Sequence, residues 1–220
     1  MQPPPSQPDP AVQKTTVIVV HPAAVRVTHW VNAAAVVVMI LSGWGIYNAS
    51  PLFPFRFPHG VTLGGWLGGS IAWHFAAMWL FALNGLAYVG YGLLRRHFAR
   101  RFLPLTPRLV STDAWAAVRL KLRHRPDAYN AVQRASYVGV LVLGILLVLS
   151  GLSLWKPVQL HELASLMGGY EAARRVHFLA MTGMVLFIFV HLALVAIVPS
   201  TLPGMITGRA RVQADAEVRT

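Results

Sequence analysis

The sequence has no cysteine at all. That removes disulfides, thiolate metal sites, cysteine-ligated iron–sulfur clusters and the C-x-x-C-H attachment of c-type haem, so any bound metal must be held by histidine or by oxygen. Charge is also scarce, at 12% of residues against 55% hydrophobic, and only seven of 220 residues are acidic. A soluble domain of this length does not look like that. Four stretches, over residues 27–47, 66–94, 137–155 and 176–198, contain no lysine, arginine or carboxylate. Four such runs would overfill the core of so small a water-soluble fold, whereas each reaches the roughly 20 residues that a membrane helix needs. The expected fold class is therefore all-α, an integral membrane four-helix bundle. Trp30, Tyr47, Trp66 and Trp155 sit near span ends, where interfacial aromatics belong.

The cations that are present lie between the spans. Arg95, Arg96, Arg100, Arg101, Arg108, Arg119, Lys121, Arg123 and Arg125 separate the second span from the third, with only Asp113 and Asp127 to offset them. The positive-inside rule places this loop in the cytoplasm, and an even number of spans then puts both termini there as well. The net charge of +12 is read as a topology signal, with no nucleic-acid site. The proline-rich opening Met1–Pro10 lacks the basic-then-apolar pattern of a secretory signal. The chain divides into a disordered cytoplasmic tail at 1–25, a four-span domain at 26–199 and a cytoplasmic C-terminal tail at 200–220. A short internal repeat runs through the domain: Leu41-Ser42-Gly43 returns as Leu149-Ser150-Gly151, and His74-Phe75 as His177-Phe178. Duplication of a helical hairpin would explain it, as would chance in motifs this short; under duplication position 29 corresponds to Tyr137, so the third span lacks the first span's histidine.

Four of the nine histidines fall inside spans: His29, His74, His177 and His191. A titratable side chain at membrane depth faces the bundle interior or a ligand. His177 and His191 are 14 residues apart, which returns them to within about 40° of one helix face and separates them by about 21 Å. One helix can thus serve two stacked sites. With the termini inside, His29 enters near the cytoplasmic side and His191 lies towards the cytoplasmic end of the fourth span. His74 and His177 lie in the outer half. Matching by depth pairs His29 with His191 and His74 with His177; the crossed pairing would have to bridge nearly the whole hydrocarbon thickness of about 30 Å. Two imidazoles at one depth suit the axial positions of a haem, whereas structural zinc wants four converging ligands. Gly43, Gly45, Gly64, Gly65, Gly68, Gly69 and Gly183 are candidate points of close porphyrin approach or, alternatively, of helix–helix contact.

The segments Arg26-Val27-Thr28-His29-Trp30-Val31-Asn32, Trp73-His74-Phe75-Ala76-Ala77-Met78-Trp79 and Tyr129-Asn130-Ala131-Val132-Gln133-Arg134, with the His177 to His191 spacing, resemble the bacterial cytochrome b561 superfamily. Within it they resemble the di-haem b subunits that anchor formate dehydrogenase, nickel–iron hydrogenase and thiosulfate reductase-type molybdoenzymes. The resemblance covers residues 25–198 and implies two haem b groups on the four histidines, quinone as substrate, and a periplasmic redox partner, by expectation a molybdoenzyme. It also implies residence in the bacterial inner membrane. Candidates for a quinone carbonyl or a haem propionate are Arg26, Trp30, Asn32, Arg134 and Tyr137 on the inner side, and Arg174 and Arg175 on the outer side, each alternatively an ordinary interfacial anchor. His59 and His161 lie in outer loops. Two rival readings share these features: a stand-alone superoxide-to-quinone oxidoreductase, and a haem-free scaffold or transporter.

Overall fold

A computed structural model describes residues 15–94, 106–119 and 131–213. The fold is the expected all-α four-helix bundle. Its long helices are α1 (Ala23–Ala49), α2 (Leu67–Leu94), α4 (Ala131–Trp155) and α6 (Tyr170–Ile197), of 27, 28, 25 and 28 residues. All four are long and apolar enough to cross a membrane. Short helices α3 (Pro107–Val118), α5 (His161–Leu166) and α7 (Leu202–Thr207) flank them.

The helices overrun the uncharged stretches. Helix α4 starts six residues before Tyr137 and so includes Arg134, and α6 starts at Tyr170 and includes Glu171, Arg174 and Arg175. Such ends suit the headgroup layer, where long cationic side chains reach water while the backbone stays hydrogen-bonded. The first backbone N–H of α4, at Ala131, donates to Asp113 Oδ2 at 2.7 Å, so a carboxylate of the basic loop caps the helix start. The remaining charges invoked for orientation, Arg95, Arg96, Arg100, Arg101, Lys121, Arg123, Arg125 and Asp127, lie outside the described residues, as do Tyr129 and Asn130.

Close helix packing is concentrated in two antiparallel pairs, α1 with α2 and α4 with α6. These are the two hairpins of the sequence repeat. Most of the buried residues of the long helices are small, among them Ala35, Ser42, Ser70, Ala77, Ser150, Ser153, Ala173 and Ala180, with Tyr47 and Met184 the large exceptions. Small residues let membrane helices approach where no hydrophobic driving force exists between them. Between α1 and α2 the chain turns through Gly64 and Gly65, at φ +111° and +73°, a backbone region that a side chain would strain. Most of the glycines expected to admit a porphyrin serve such contacts. Gly45 faces Ser70, Gly69 faces the Gly64 carbonyl, Gly68 lies under the Trp66 ring and Gly183 packs on Leu143.

The chain ends depart from expectation. Thr15–Val19, placed within an unstructured tail, forms strand β1, antiparallel to β2 (Arg209–Gln213) with Thr15 opposite Gln213. Helix α7 packs beside this ribbon, and Val20 N donates to Gly208 O at 2.9 Å. Two segments whose paired residues Thr15 and Gln213 are 198 positions apart thus join at one end of the bundle.

Candidate functional site

The four span histidines meet in two pairs, each crossing from one hairpin to the other. His29 of α1 faces His191 of α6 with ring centroids 6.1 Å apart and planes at 62°. His74 of α2 faces His177 of α6 at 6.4 Å and 67°. The first pair lies at the ribbon end and the second towards the far end, so α6 contributes one imidazole to each. Depth arithmetic on the sequence gives this same pairing.

The spacing tests the fit of a haem. An iron–imidazole bond of about 2 Å added to about 1.1 Å from nitrogen to ring centre puts two trans axial rings about 6.3 Å apart. A direct in-line hydrogen bond between two imidazoles would bring their centres to about 5.2 Å. Both observed distances match the first arrangement. Among the described residues no group of three or more histidine or carboxylate side chains converges, so each site offers two imidazole donors.

At the far end the rings are held from behind. His74 Nδ1 lies 3.1 Å from the Met39 carbonyl and 3.2 Å from Ser42 Oγ, and His177 Nδ1 lies 2.9 Å from Ser150 Oγ. Above them an aromatic lid closes on Phe178, the residue after His177. Tyr47, Phe53 and Phe55 contact its ring at 5.1, 5.4 and 6.4 Å. Asn48 pins this loop through both Phe57 backbone groups at 2.8 Å, and Tyr47 exchanges hydrogen bonds with Phe53. Arg174 joins the lid to α6, donating to Ser50 O at 2.6 Å and to Glu171 at 3.1 Å. Arg175 is exposed.

At the ribbon end, Arg26 Nη1 donates to Ile206 O at 2.5 Å and Trp30 Nε1 to Met205 O at 3.2 Å, tying α1 to α7. Asn84 Nδ2 donates to Thr28 O at 2.8 Å, holding α2 beside His29. Phe187 stacks on His191 at 5.9 Å. Three buried side-chain polar atoms among the described residues have no hydrogen-bond partner: Arg26 Nε, Asn32 Oδ1 and Trp44 Nε1. Buried polar atoms are rarely orphaned, so each marks a place where a polar group of a ligand fits. Trp44, next to Gly43 at the far end, was invisible to sequence reasoning, since a span tryptophan reads as a lipid anchor.

A family model described as prokaryotic cytochrome b561 matches residues 20–208. The chain belongs to the prokaryotic cytochrome b561 family. It is 52% identical over 190 residues to the putative protein-methionine-sulfoxide reductase subunit YedZ1 of Azospira oryzae, covering 86% of this chain and 96% of that one. It is 27% identical to a probable Ni/Fe-hydrogenase B-type cytochrome subunit of Azotobacter vinelandii, covering 83% of this chain and 82% of the relative. A subunit with the same description from Cupriavidus necator is 26% identical over 78% and 76%. As a cytochrome b561 the chain is a multi-pass protein of the bacterial inner membrane that binds haem b and carries electrons.

Proposed function

We propose that this cytochrome b561 is the membrane subunit of a two-component respiratory system, holding two haems b and moving electrons between the quinone pool and a periplasmic redox partner. His29 with His191 would hold one haem, and His74 with His177 the other. The observation that carries this reading is the pair of imidazole separations, 6.1 and 6.4 Å, repeated at two depths along one helix. Haem b supplies at each position a one-electron ferric–ferrous couple.

The chain's own residues do the rest. Two imidazoles at each site would hold the haem iron from the protein and leave it little room for oxygen chemistry. Helix α6 spaces its two ligands by about 21 Å along its axis. The positive-inside rule applied to the basic loop supports a cytoplasmic ribbon end, with the His74–His177 layer then towards the periplasm under its aromatic lid. At the ribbon end, the buried Arg26 Nε–H is suited to donate to a quinone carbonyl or a propionate, and the buried Asn32 Oδ1, an acceptor, to receive a quinol hydroxyl. Arg134 and Tyr137, in the first two turns of α4, are the remaining candidates there, while the indole of Trp30 is already committed to Met205. At the far end the guanidinium of Arg174 is engaged by Ser50 and Glu171, which leaves Arg175 and Trp44 for the propionates. The name carried by the Azospira relative, a putative protein-methionine-sulfoxide reductase subunit, supports a reductase component as the partner, which we take to be a periplasmic molybdenum protein.

A pyridine haemochrome assay on the detergent-purified chain, followed by addition of a short-chain quinol, tests this reading. Two b haems per chain with quinol-dependent reduction are expected. A colourless protein from haem-replete cells would overturn it.

A further inference from the structure

We infer that Ser42 and Ser150 are positioning residues that hold His74 and His177 with Nδ1 protonated and Nε2 turned to the iron, and so set the potential of that haem apart from its neighbour's. The inference rests on the proposed ligation by His74 and His177.

The hydrogen-bond directions fix the tautomer. The Met39 carbonyl 3.1 Å from His74 Nδ1 can only accept, so Nδ1 carries the proton. The Ser42 hydroxyl donates its own hydrogen to Val38 O at 2.6 Å and therefore meets Nδ1 as an acceptor, at 3.2 Å. The second hairpin repeats the device. Ser150 donates to Leu146 O at 2.6 Å and accepts from His177 Nδ1 at 2.9 Å. Both serines have zero exposure, so no water competes for the imidazole proton. The glycine that follows each serine lets the ring lie flat against the helix: a Cβ at Gly43 would stand 3.5 Å from His74 Cε1, and one at Gly151 would stand 3.3 Å from His177 Cε1. The Leu-Ser-Gly and His-Phe repeats are thus one ligand-holding unit used twice, each hairpin's first helix orienting the histidine of its second.

The ribbon-end pair has no counterpart. Among the described residues no hydrogen bond reaches a ring nitrogen of His29 or His191; their ring contacts are with Trp30, Phe187 and each other. An accepted Nδ1–H bond raises the basicity of Nε2, and a more basic axial ligand favours ferric iron. Serine orientation therefore lowers the potential of the His74–His177 haem while leaving the other untouched.

The experiment is a spectroscopic redox titration of the purified full-length chain, with the far-end component assigned as the one lost in His74→Ala. Wild type is titrated first, and absence of two resolvable b haems there overturns the ligation itself. Ser42→Ala, Ser150→Ala and the double variant follow, with Ser153→Ala as control. Ser153 is equally buried and in the same helix as Ser150, but its hydroxyl bonds Leu149 O and Met167 Sδ and no histidine. In the double variant the far-end haem is expected to keep its place and shift positive, with about a tenfold higher ferrous-to-ferric ratio at fixed poise, or about 59 mV for one electron. Its low-temperature EPR g-values should move too. The ribbon-end haem, and both haems of Ser153→Ala, should stay at wild-type potentials. An unchanged far-end potential in both single variants, or an equal shift of the two haems, overturns the inference.

Discussion

A methyl group at position 151 would have to displace the His177 ring by a few tenths of an ångström, whereas one at position 43 meets His74 at ordinary contact distance. Gly151→Ala is therefore expected to lower far-end haem occupancy and to destabilise the bundle by about 1–3 kcal/mol, with Gly43→Ala nearly silent; haem-to-protein absorbance ratios on the two purified variants decide it. The ligand assignment makes its own demand. His29→Ala and His74→Ala should each remove one haem and different spectral components, and loss of the same component in both would sink the two-layer arrangement. At this scale the histidines were legible because charge and titratable groups are costly in lipid and because 1.5 Å per residue converts sequence spacing into depth. Ser42 and Ser150 were legible only as a short repeat. A serine in a membrane helix bonds its own preceding turn, as both do, and nothing local distinguishes one that also receives an imidazole proton.

Elements were read from missing charge, and that signal locates the apolar part of a helix better than its ends. Helix α6 begins six residues before Val176, because Glu171, Arg174 and Arg175 continue the helix into the interface, where they interrupt the pattern without breaking the backbone. Asp113 shows what such edges hold. Sequence reading counted it as a minor offset in a basic loop, yet it caps α4 through Ala131. Asp113→Ala should cost about 1 kcal/mol, seen as a lower melting temperature of the detergent-solubilised protein with the haem spectrum unchanged at low temperature. The β ribbon left no trace in the sequence, since each strand is only five residues and its partner lies at the other end of the chain. Deleting residues 202–220 removes α7 and β2, and with them the acceptors for Arg26 and Trp30. The His29–His191 haem should then be lost at a lower temperature than the His74–His177 haem, an order that difference spectra taken during heating would reveal.

For the whole molecule, the absence of cysteine turns orientation into a clean measurement. A single cysteine at position 59, between α1 and α2, is expected to react with a membrane-impermeant maleimide on intact spheroplasts, while one at position 6 should react only after lysis. The reverse pattern would place the His74–His177 layer on the cytoplasmic side and exchange the roles proposed for the two ends. The fold's division into two hairpins with similar ligand-holding units means that each half carries its own internal packing, and the histidine pairs and the ribbon join the halves. The ribbon has one more consequence. Thr15 and Gln213, the outermost described residues, lie side by side, so the described part of the chain is close to a closed ring. A short peptide joining them would allow the chain to be reopened in the basic connection between α2 and α4. Such a circular permutant should insert with its hairpins in exchanged order and still present His29 to His191 and His74 to His177.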